Sequence, residues 1–426
     1  MIYTPLTKKA LRISFDAHKN QVDKCGIPYV YHPFHLAEQM EDEESVCVAL
    51  LHDVMEDAGI TEEDLLKEGF SENIVSAIAM LTHDSRVPYP EYVEGLKFHP
   101  LSRIVKLADL RHNSDLSRID SVTLTDRDRA EKYRKAIIIL KGGGNPNVAM
   151  YLDTMEIFRK GNYFKNGKPV KLRLTRDMTR EAEVILPSEL SLLDYPEVSR
   201  DHRIAEVSCR NTDSFTMARD ICGSERFDTE YDKMLVLNFA NPVNKGGGVK
   251  HGANAQEEDL CRKSSLMLSL ESDAADEYYL YNRSLRTNLG TDAMIISPYV
   301  EIIRDKNGEL LDHTQVVSVL TCAAPYIAGG LEGLTYDEYR EMLHHRIEAM
   351  LRCAAYYGYT HLVLGAWGCG AFRNDAELIA SLFDKAMKDN GSIAARSFKR
   401  IDFAVLDKSF NKYNYITFSK YFGSDR

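Results

Sequence analysis

Residues 244–258 read NKGGGVKHGANAQEE. A glycine triplet (Gly246, Gly247, Gly248) is followed, after a spacer of seven residues, by Gln256, Glu257 and Glu258. Two adjacent carboxyls can divide acid and base work, because burial beside a second acid raises the pKa of one; Glu258 is expected to be the raised partner. Glycines without side chains let backbone N–H groups come close to a ligand. The helix dipole also favours acids in a first turn, so capping alone is a second explanation for the glutamates. A second glycine-rich stretch, LVLGAWGCGAFRND at 362–375, follows an apolar run and precedes a helical one. There Gly365, Gly368 and Gly370, with Cys369 and Ala371 between and after the last two, offer amides to a pyrophosphate, and Phe372 offers a ring to a ribose or base. No Gly-Lys-Ser/Thr and no G-x-G-x-x-G is present, so neither a Walker loop nor a dinucleotide-binding turn is expected.

The N-terminal third carries a different constellation: YHP at 31–33, LLHDVMED at 50–57 and VKLADLRHN at 105–113. His32, His52, Asp53 and Asp109 make an N/N/O/O donor set that suits Mn²⁺, Fe²⁺ or Zn²⁺ and leaves positions for water and a phosphate oxygen. Glu56 and Asp57 would flank that water as orienting or proton-accepting groups. Each piece has a plainer reading; Asp109, for one, can simply pair with Lys106 or Arg111. The ordered set argues for a metal.

These side chains need elements to hold them. Residues 1–140 place apolar residues at i, i+3, i+4 spacing in ESVCVALLHDVMEDAG, SENIVSAIAMLTHD and PLSRIVKLADLRHNSDL, which predicts about five or six helices. Thr61 with Asp64 predicts a capping box and Gly69 a stop. KGGGNPN at 141–147 marks a linker over 141–150. Beyond it, short β-rich runs (KMLVLNFAN, TDAMIISPYVEIIRD, TQVVSVLTCAAP, THLVLGAWGCG, RIDFAVLD) alternate with helical stretches. The expectation is an α/β domain over 151–426 with largely parallel strands and function at their C-terminal ends. The aromatic tail SFNKYNYITFSKYF suits core packing, with lining of a base pocket as the alternative.

At 426 residues two domains are expected. The net charge is −11, and residues 1–140 hold 17 basic against 24 acidic residues, so −7 lies there and −4 in the rest. That balance argues against sequence-specific nucleic-acid binding through the phosphate backbone. The eight cysteines form no C-x-x-C pair, and reduced thiols in the cytosol are the expectation. No apolar run approaches the roughly 18 residues of a spanning helix, so no membrane partner is expected.

Taken together, the set H…HD-x-x-ED…K-L-A-D…H-N, with AHKNQVDKCGIPYVYHP at 17–33, resembles the HD-type hydrolase domain of the RelA/SpoT family, which hydrolyses the 3′-pyrophosphate of (p)ppGpp. The resemblance covers roughly residues 3–140. It implies an all-α HD helical bundle, a divalent metal (Mn²⁺ first) on His32, His52, Asp53 and Asp109, catalytic Glu56 and Asp57, and substrate contacts from Lys24 and Asn113. Val22 and Asp23 stand where that family carries Arg or Lys. The Gly triplet with Gln-Glu-Glu, NFAN before it, GAWGCGAF after it and TMEIFRKGNYFKNGKPVKL at 154–172 resemble microbial macrodomain-type poly(ADP-ribose) glycohydrolases. The resemblance covers about 148–390. It implies a three-layer macrodomain-like fold that requires no cofactor. Glu258 is then the catalytic acid, and Glu257 positions the ribose. Asn241, Gly246–Gly248 and Gln256 surround that ribose, and Gly368–Phe372 hold the diphosphate. Substrates would be ADP-ribose attached to protein or nucleic acid, with a phosphorylated nucleotide at the HD site. Macrodomains can also bind ADP-ribose without cleaving it, so a targeting module is the alternative.

Overall fold

The periodicity before residue 140 does yield helices, but more of them than predicted. In a computed structural model of the chain, residues 2–119, 121–141, 145–166, 168–197 and 203–423 are described, apart from the side chains of 390–392. They fall into two compact units, Met1–Asp153 and Thr154–Arg426. The division lies inside the helix Pro146–Lys160, so the second half of the expected linker is helical, while 142–144 lie outside the described residues.

The first unit has nine α-helices among its described residues up to 141, from Pro5–His18 to Leu124–Lys141. One cause of the difference is local. ESVCVALLHDVMEDAG is not a single helix: Glu43–Leu51 stops at His52, and Val54–Ala58 begins after Asp53 and ends at Gly59, which has φ 69°. Asp42 caps the first helix by accepting the Ser45 N–H at 2.8 Å. Glu43–Leu51 is apolar on every face from Val46 to Leu51, each at most 1% exposed, as a helix surrounded by others must be. It packs against Pro5–His18, Tyr31–Ala37, Glu72–Leu81 and Pro100–Ser114, and full burial of Leu50 or Leu51 contributes about 2 kcal/mol each. The Thr61/Asp64 capping box and the stop at Gly69 (φ 90°) form as read.

The second unit opens with a hairpin, β1 (Asn162–Lys165) and β2 (Lys168–Lys171). A seven-stranded sheet follows, built from β3 (Glu183–Ile185), β4 (Glu206–Arg210), β5 (Met234–Phe239), β6 (Met294–Arg304), β7 (Leu310–Cys322), β8 (His361–Leu364) and β9 (Arg400–Ala404) in the order β3-β6-β7-β5-β8-β9-β4. Strands β7, β5, β8, β9 and β4 run parallel. The largely parallel expectation needs one correction: β3, β6 and β7 pair antiparallel. Both TDAMIISPYVEIIRD and TQVVSVLTCAAP are buried on two faces, which hides strand direction from the hydrophobic pattern. The helices Tyr336–Tyr356, Ala376–Arg396 and Tyr413–Phe422 share one core with the sheet. In the aromatic tail Phe418 and Phe422 belong to that core, Phe422 stacking on Phe403 at 3.9 Å.

One buried carboxylate ties the early segment of this unit to the sheet. Glu301 on β6 has no solvent exposure. Its side chain accepts from Arg173 N at 2.8 Å, Leu174 N at 3.0 Å and Thr314 Oγ1 at 2.6 Å. Glu301→Ala removes the acceptor of three donors, one of them buried, and is expected to lower the stability of this unit by about 2 kcal/mol. Urea unfolding followed by fluorescence of Trp367, the sole tryptophan of the chain and fully buried here, measures it; an unchanged midpoint contradicts the assignment.

Candidate functional site

At the C-terminal end of β5 the chain leaves the sheet through Ala240 and Asn241, passes the glycine triplet and returns as the helix Gln256–Lys263. Gln256 fixes that return: its side-chain oxygen accepts the Phe239 N–H at 2.9 Å and its nitrogen donates to Leu237 O at 2.8 Å. The next two residues place both acids beneath the loop, Glu257 3% and Glu258 8% exposed. Glu258 accepts Gly248 N–H on Oε1 and Ala255 N–H on Oε2, both at 2.9 Å. The second bond is half of a capping box, so helix capping and site geometry use the same carboxylate.

Glu257 has no such helical excuse. Its Oε2 accepts Asn241 N–H at 2.8 Å and its Oε1 faces Asn238 Nδ2 at 3.3 Å. Burial, and then the adjacent Glu258, push its pKa up to about 8, while the Asn241 and Asn238 donors oppose the shift. Burial, more than pairing, raises the Glu257 carboxyl. Among the described residues no cation pairs with Glu257, so burial wins.

The glycines have a structural reason that differs from the expected one. A Cβ on Gly247 (φ 58°) would stand 2.4 Å from Glu258 Oε1, and one on Gly246 (φ 66°) 2.6 Å from Met267 Sδ. The triplet is bare so that the acids can lie directly under it. Asn241, expected at the ribose, spends its side-chain oxygen on Val243 N at 2.9 Å and Asn244 N at 2.8 Å. Arg262, which sequence reasoning missed, is 1% exposed and grips the spacer through Ala253 O (2.5 Å) and Asn254 Oδ1 (2.6 Å). Its position one turn after Glu258 on the same helix was the available signal.

The second glycine loop follows β8, which lies between β5 and β9 and parallel to both. Gly368 (φ 75°) has no room for a Cβ against Ala324 and Asn374, whereas nothing lies within 4 Å of one on Gly370. Asn374 holds the loop by donating to Gly368 O at 3.0 Å and Pro325 O at 2.8 Å, and Tyr339 OH donates to Asn374 Oδ1 at 2.6 Å. Gly370 and Ala371 are exposed, Cys369 and Phe372 half-buried. Phe372 packs edge-on to Tyr326 at 5.6 Å.

In the first unit the helix break after Leu51 sets His52 and Asp53 at a junction facing His32 from Tyr31–Ala37 and Asp109 from Pro100–Ser114. His32, His52 and Asp109, all buried, bring donor atoms within 4.8 Å of one another. His52 Nδ1 bonds Ala49 O at 2.9 Å, so Nδ1 carries a proton and Nε2 is the nitrogen turned toward the carboxylates. His32 Nε2 and His52 Nε2 are shielded from solvent without a hydrogen-bond partner. His32 Nε2 stands 3.3 Å from Asp109 Oδ1. Two inward imidazole nitrogens, each facing a carboxylate oxygen, fit a divalent first-row metal.

Asp53 falls outside this group of three; its Oδ2 lies 2.8 Å from His52 Nε2 and accepts from Tyr29 OH at 2.5 Å. Asn113, expected at the substrate, donates to Asp109 Oδ1 at 2.5 Å, and Lys106 Nζ lies 2.9 Å from Asp109 Oδ2. Burial opposes ionisation of Asp109, yet Lys106 and the two histidines hold its carboxyl well below the ordinary range. His112 Nδ1 lies 2.8 Å from His32 Nδ1. Glu56, Asp57 and Lys24 are exposed. Asp23 pairs with Arg118 at 2.8 Å.

The raised Glu257 carboxyl has a consequence for stability. The folded state holds this proton more tightly than the unfolded chain, so its contribution is full below about 4.5 and is lost as pH rises through about 8. Relative to Glu257→Gln, wild-type stability should therefore fall across that window. Urea midpoints read by Trp367 fluorescence at several pH values check this; parallel curves contradict it.

Comparison with known proteins bears on both units. A family model described as the microbial-type PARG catalytic domain matches residues 152–305. The poly(ADP-ribose) glycohydrolase of Thermomonospora curvata is 31% identical with a TM-score of 0.60, covering 65% of this chain and 99% of that one. A Deinococcus radiodurans poly(ADP-ribose) glycohydrolase solved with ADP-ribose is 34% identical with a TM-score of 0.50, covering 59% and 98%. The N-terminal part matches guanosine-3′,5′-bis(diphosphate) 3′-pyrophosphohydrolases. That of Borreliella burgdorferi is 26% identical over half of this chain and a third of its own length, and that of Danio rerio 27% identical over 36% and 93%. The chain spans a third or less of the length of the first curated relatives it matches. Among the described residues no helix is long and apolar enough to cross a membrane. Its N-terminal part is homologous to the (p)ppGpp hydrolases, and through its second unit the chain belongs to the poly(ADP-ribose) glycohydrolase family.

Proposed function

We propose that the second unit is an ADP-ribosyl glycohydrolase that cleaves the O-glycosidic ribose bond of poly- or mono-ADP-ribose and releases ADP-ribose. The observation that carries this reading is the Glu258 carboxylate, held by the Gly248 and Ala255 amides directly under the glycine triplet. In its protonated form Glu258 donates to the leaving oxygen as the anomeric C–O bond breaks. The oxocarbenium-like ribose is then attacked by water, whose proton returns to Glu258. Glu257, a neutral carboxyl up to about pH 8, can donate a hydrogen bond to a ribose hydroxyl from below. Gly370 and Ala371 offer exposed amides to the diphosphate, with Phe372 beside the ribose.

The first unit we read as a metal-dependent nucleotide (pyro)phosphohydrolase. A divalent ion held by His32, His52 and Asp109, with Asp53 at its edge, would supply Lewis-acid chemistry at a phosphoryl oxygen, and Mn²⁺ suits this mixed N/O donor set. Tyr29 and Asn113 orient Asp53 and Asp109. Glu56 and Asp57, on the first turn of Val54–Ala58, accept a proton from the attacking water at the open side. Lys24 meets substrate phosphate at the mouth. Substrates are then ADP-ribosylated protein or nucleic acid for one unit and a phosphorylated nucleotide such as ppGpp for the other.

Two variants separate the activities. Glu258→Gln is expected to lose roughly 10³-fold in ADP-ribose release while Mn²⁺-dependent phosphate or pyrophosphate release is unchanged; His52→Ala should do the reverse. Wild-type ADP-ribose release by Glu258→Gln overturns the glycohydrolase reading, and wild-type nucleotide hydrolysis by His52→Ala overturns the metal one. Gly247→Ala, which drives a methyl against Glu258 Oε1, should cost on the order of 10²-fold in ADP-ribose release, measured by chromatography of the product; full activity contradicts the close-approach argument.

A further inference from the structure

The two longest helices of the second unit, Tyr336–Tyr356 and Ala376–Arg396, pack against each other and carry a cluster that neither the glycohydrolase site nor the metal centre above uses. His344 and Glu348 lie one helical turn apart on the first helix, and Asp389 projects from the second. His344 Nε2 is 3.3 Å from Asp389 Oδ2, and His344 Nδ1 is 3.7 Å from Glu348 Oε2. Nitrogen and carboxylate donors from the three residues all fall within 4.8 Å of one another. The histidine side chain is 15% exposed, the two acids 33% and 36%, so the cluster is sheltered yet reachable from solvent.

What distinguishes this cluster from an ordinary ion pair is the state of one atom. His344 Nε2 is shielded from solvent and makes no hydrogen bond, although a carboxylate oxygen stands 3.3 Å away. A protonated imidazole paired with Asp389 would aim its N–H at that oxygen. Two ligands of one tetrahedral ion, each about 2 Å from it, lie about 3.3 Å apart with neither pointing at the other. The same combination occurs in the first unit, where His32 Nε2 lies 3.3 Å from Asp109 Oδ1 and is likewise without a hydrogen bond.

We propose that His344, Glu348 and Asp389 form a second divalent-metal site, an N/O/O clip for a first-row ion such as Zn²⁺ with water completing the coordination. One imidazole and two carboxylates suit such an ion. The helices it joins are the ones that support the second glycine loop: Tyr339 near the start of the first bonds Asn374, which immediately precedes the cap of the second. An ion at the clip binds the folded unit and not the unfolded chain, so it adds stability to that unit.

Equilibrium dialysis of the full-length chain against micromolar Zn²⁺, with bound metal counted by mass spectrometry, tests this. Wild type should hold one more equivalent than His344→Ala, whatever the occupancy of the first unit. In the same buffers Zn²⁺ should raise the urea midpoint read by Trp367 in wild type and leave it unmoved in His344→Ala. Asp389→Asn, which preserves side-chain shape, serves in place of His344→Ala should that variant not fold. Equal metal content in wild type and the folded variant, or an equal Zn²⁺-induced shift, overturns the proposal. Neither readout depends on whether the second unit cleaves or merely binds ADP-ribose.

Discussion

The second unit is organised around one pair of hydrogen bonds: the Gly248 and Ala255 amides, seven residues apart in sequence, both donating to the carboxylate of Glu258. For both to reach it, the chain between them must close into a tight loop, and it does so through a short 3₁₀ turn at Val249–His251 and a left-handed Gly252. Gly247 must lack a side chain because the carboxylate occupies that space. Arg262 must hold the loop's far end at Ala253 and Asn254, and Gln256 must pin the helix start to the end of β5. Loop, helix and strand therefore converge on one side chain through backbone geometry.

The electrostatics follow from the same arrangement. Two carboxyls are buried side by side, and Arg262, on the same helix, is itself buried and bonded mainly to neutral oxygens; burial lowers its pKa. With no cation against Glu257 among the described residues, the pair does not sustain two charges cheaply, and Glu257 keeps its proton into the neutral range. The first unit solves the opposite problem. There Lys106, His32 and His52 crowd around Asp109 and keep it ionised, the state a metal ligand needs.

Much of this was legible in the residues alone. The helix and strand alternation and the placement of Glu257 and Glu258 in a first helical turn follow from spacing and residue type, whereas of the expected ligands His32, His52, Asp53 and Asp109 the structure groups three without Asp53. What escaped did so for identifiable reasons. The break at His52–Asp53 is invisible to a hydrophobic pattern that continues across it. The antiparallel β6–β7 pair is hidden because both strands are buried on two faces. Asn113 and Asn241 also make local bonds, to Asp109 and to the Val243–Asn244 turn, that the substrate roles expected of them did not include. The raised pKa of Glu257 comes chiefly from its burial, which the sequence does not show.

That the acid works because of where two amides hold it, and not merely because an acid is present, is most directly tested by Glu258→Asp. The variant retains a carboxyl but is one methylene too short to reach both N–H groups. ADP-ribose affinity should remain within about twofold of wild type while release of ADP-ribose from polymer falls by roughly 10²-fold or more. Near-wild-type release by Glu258→Asp would contradict the assignment of catalysis to that geometry.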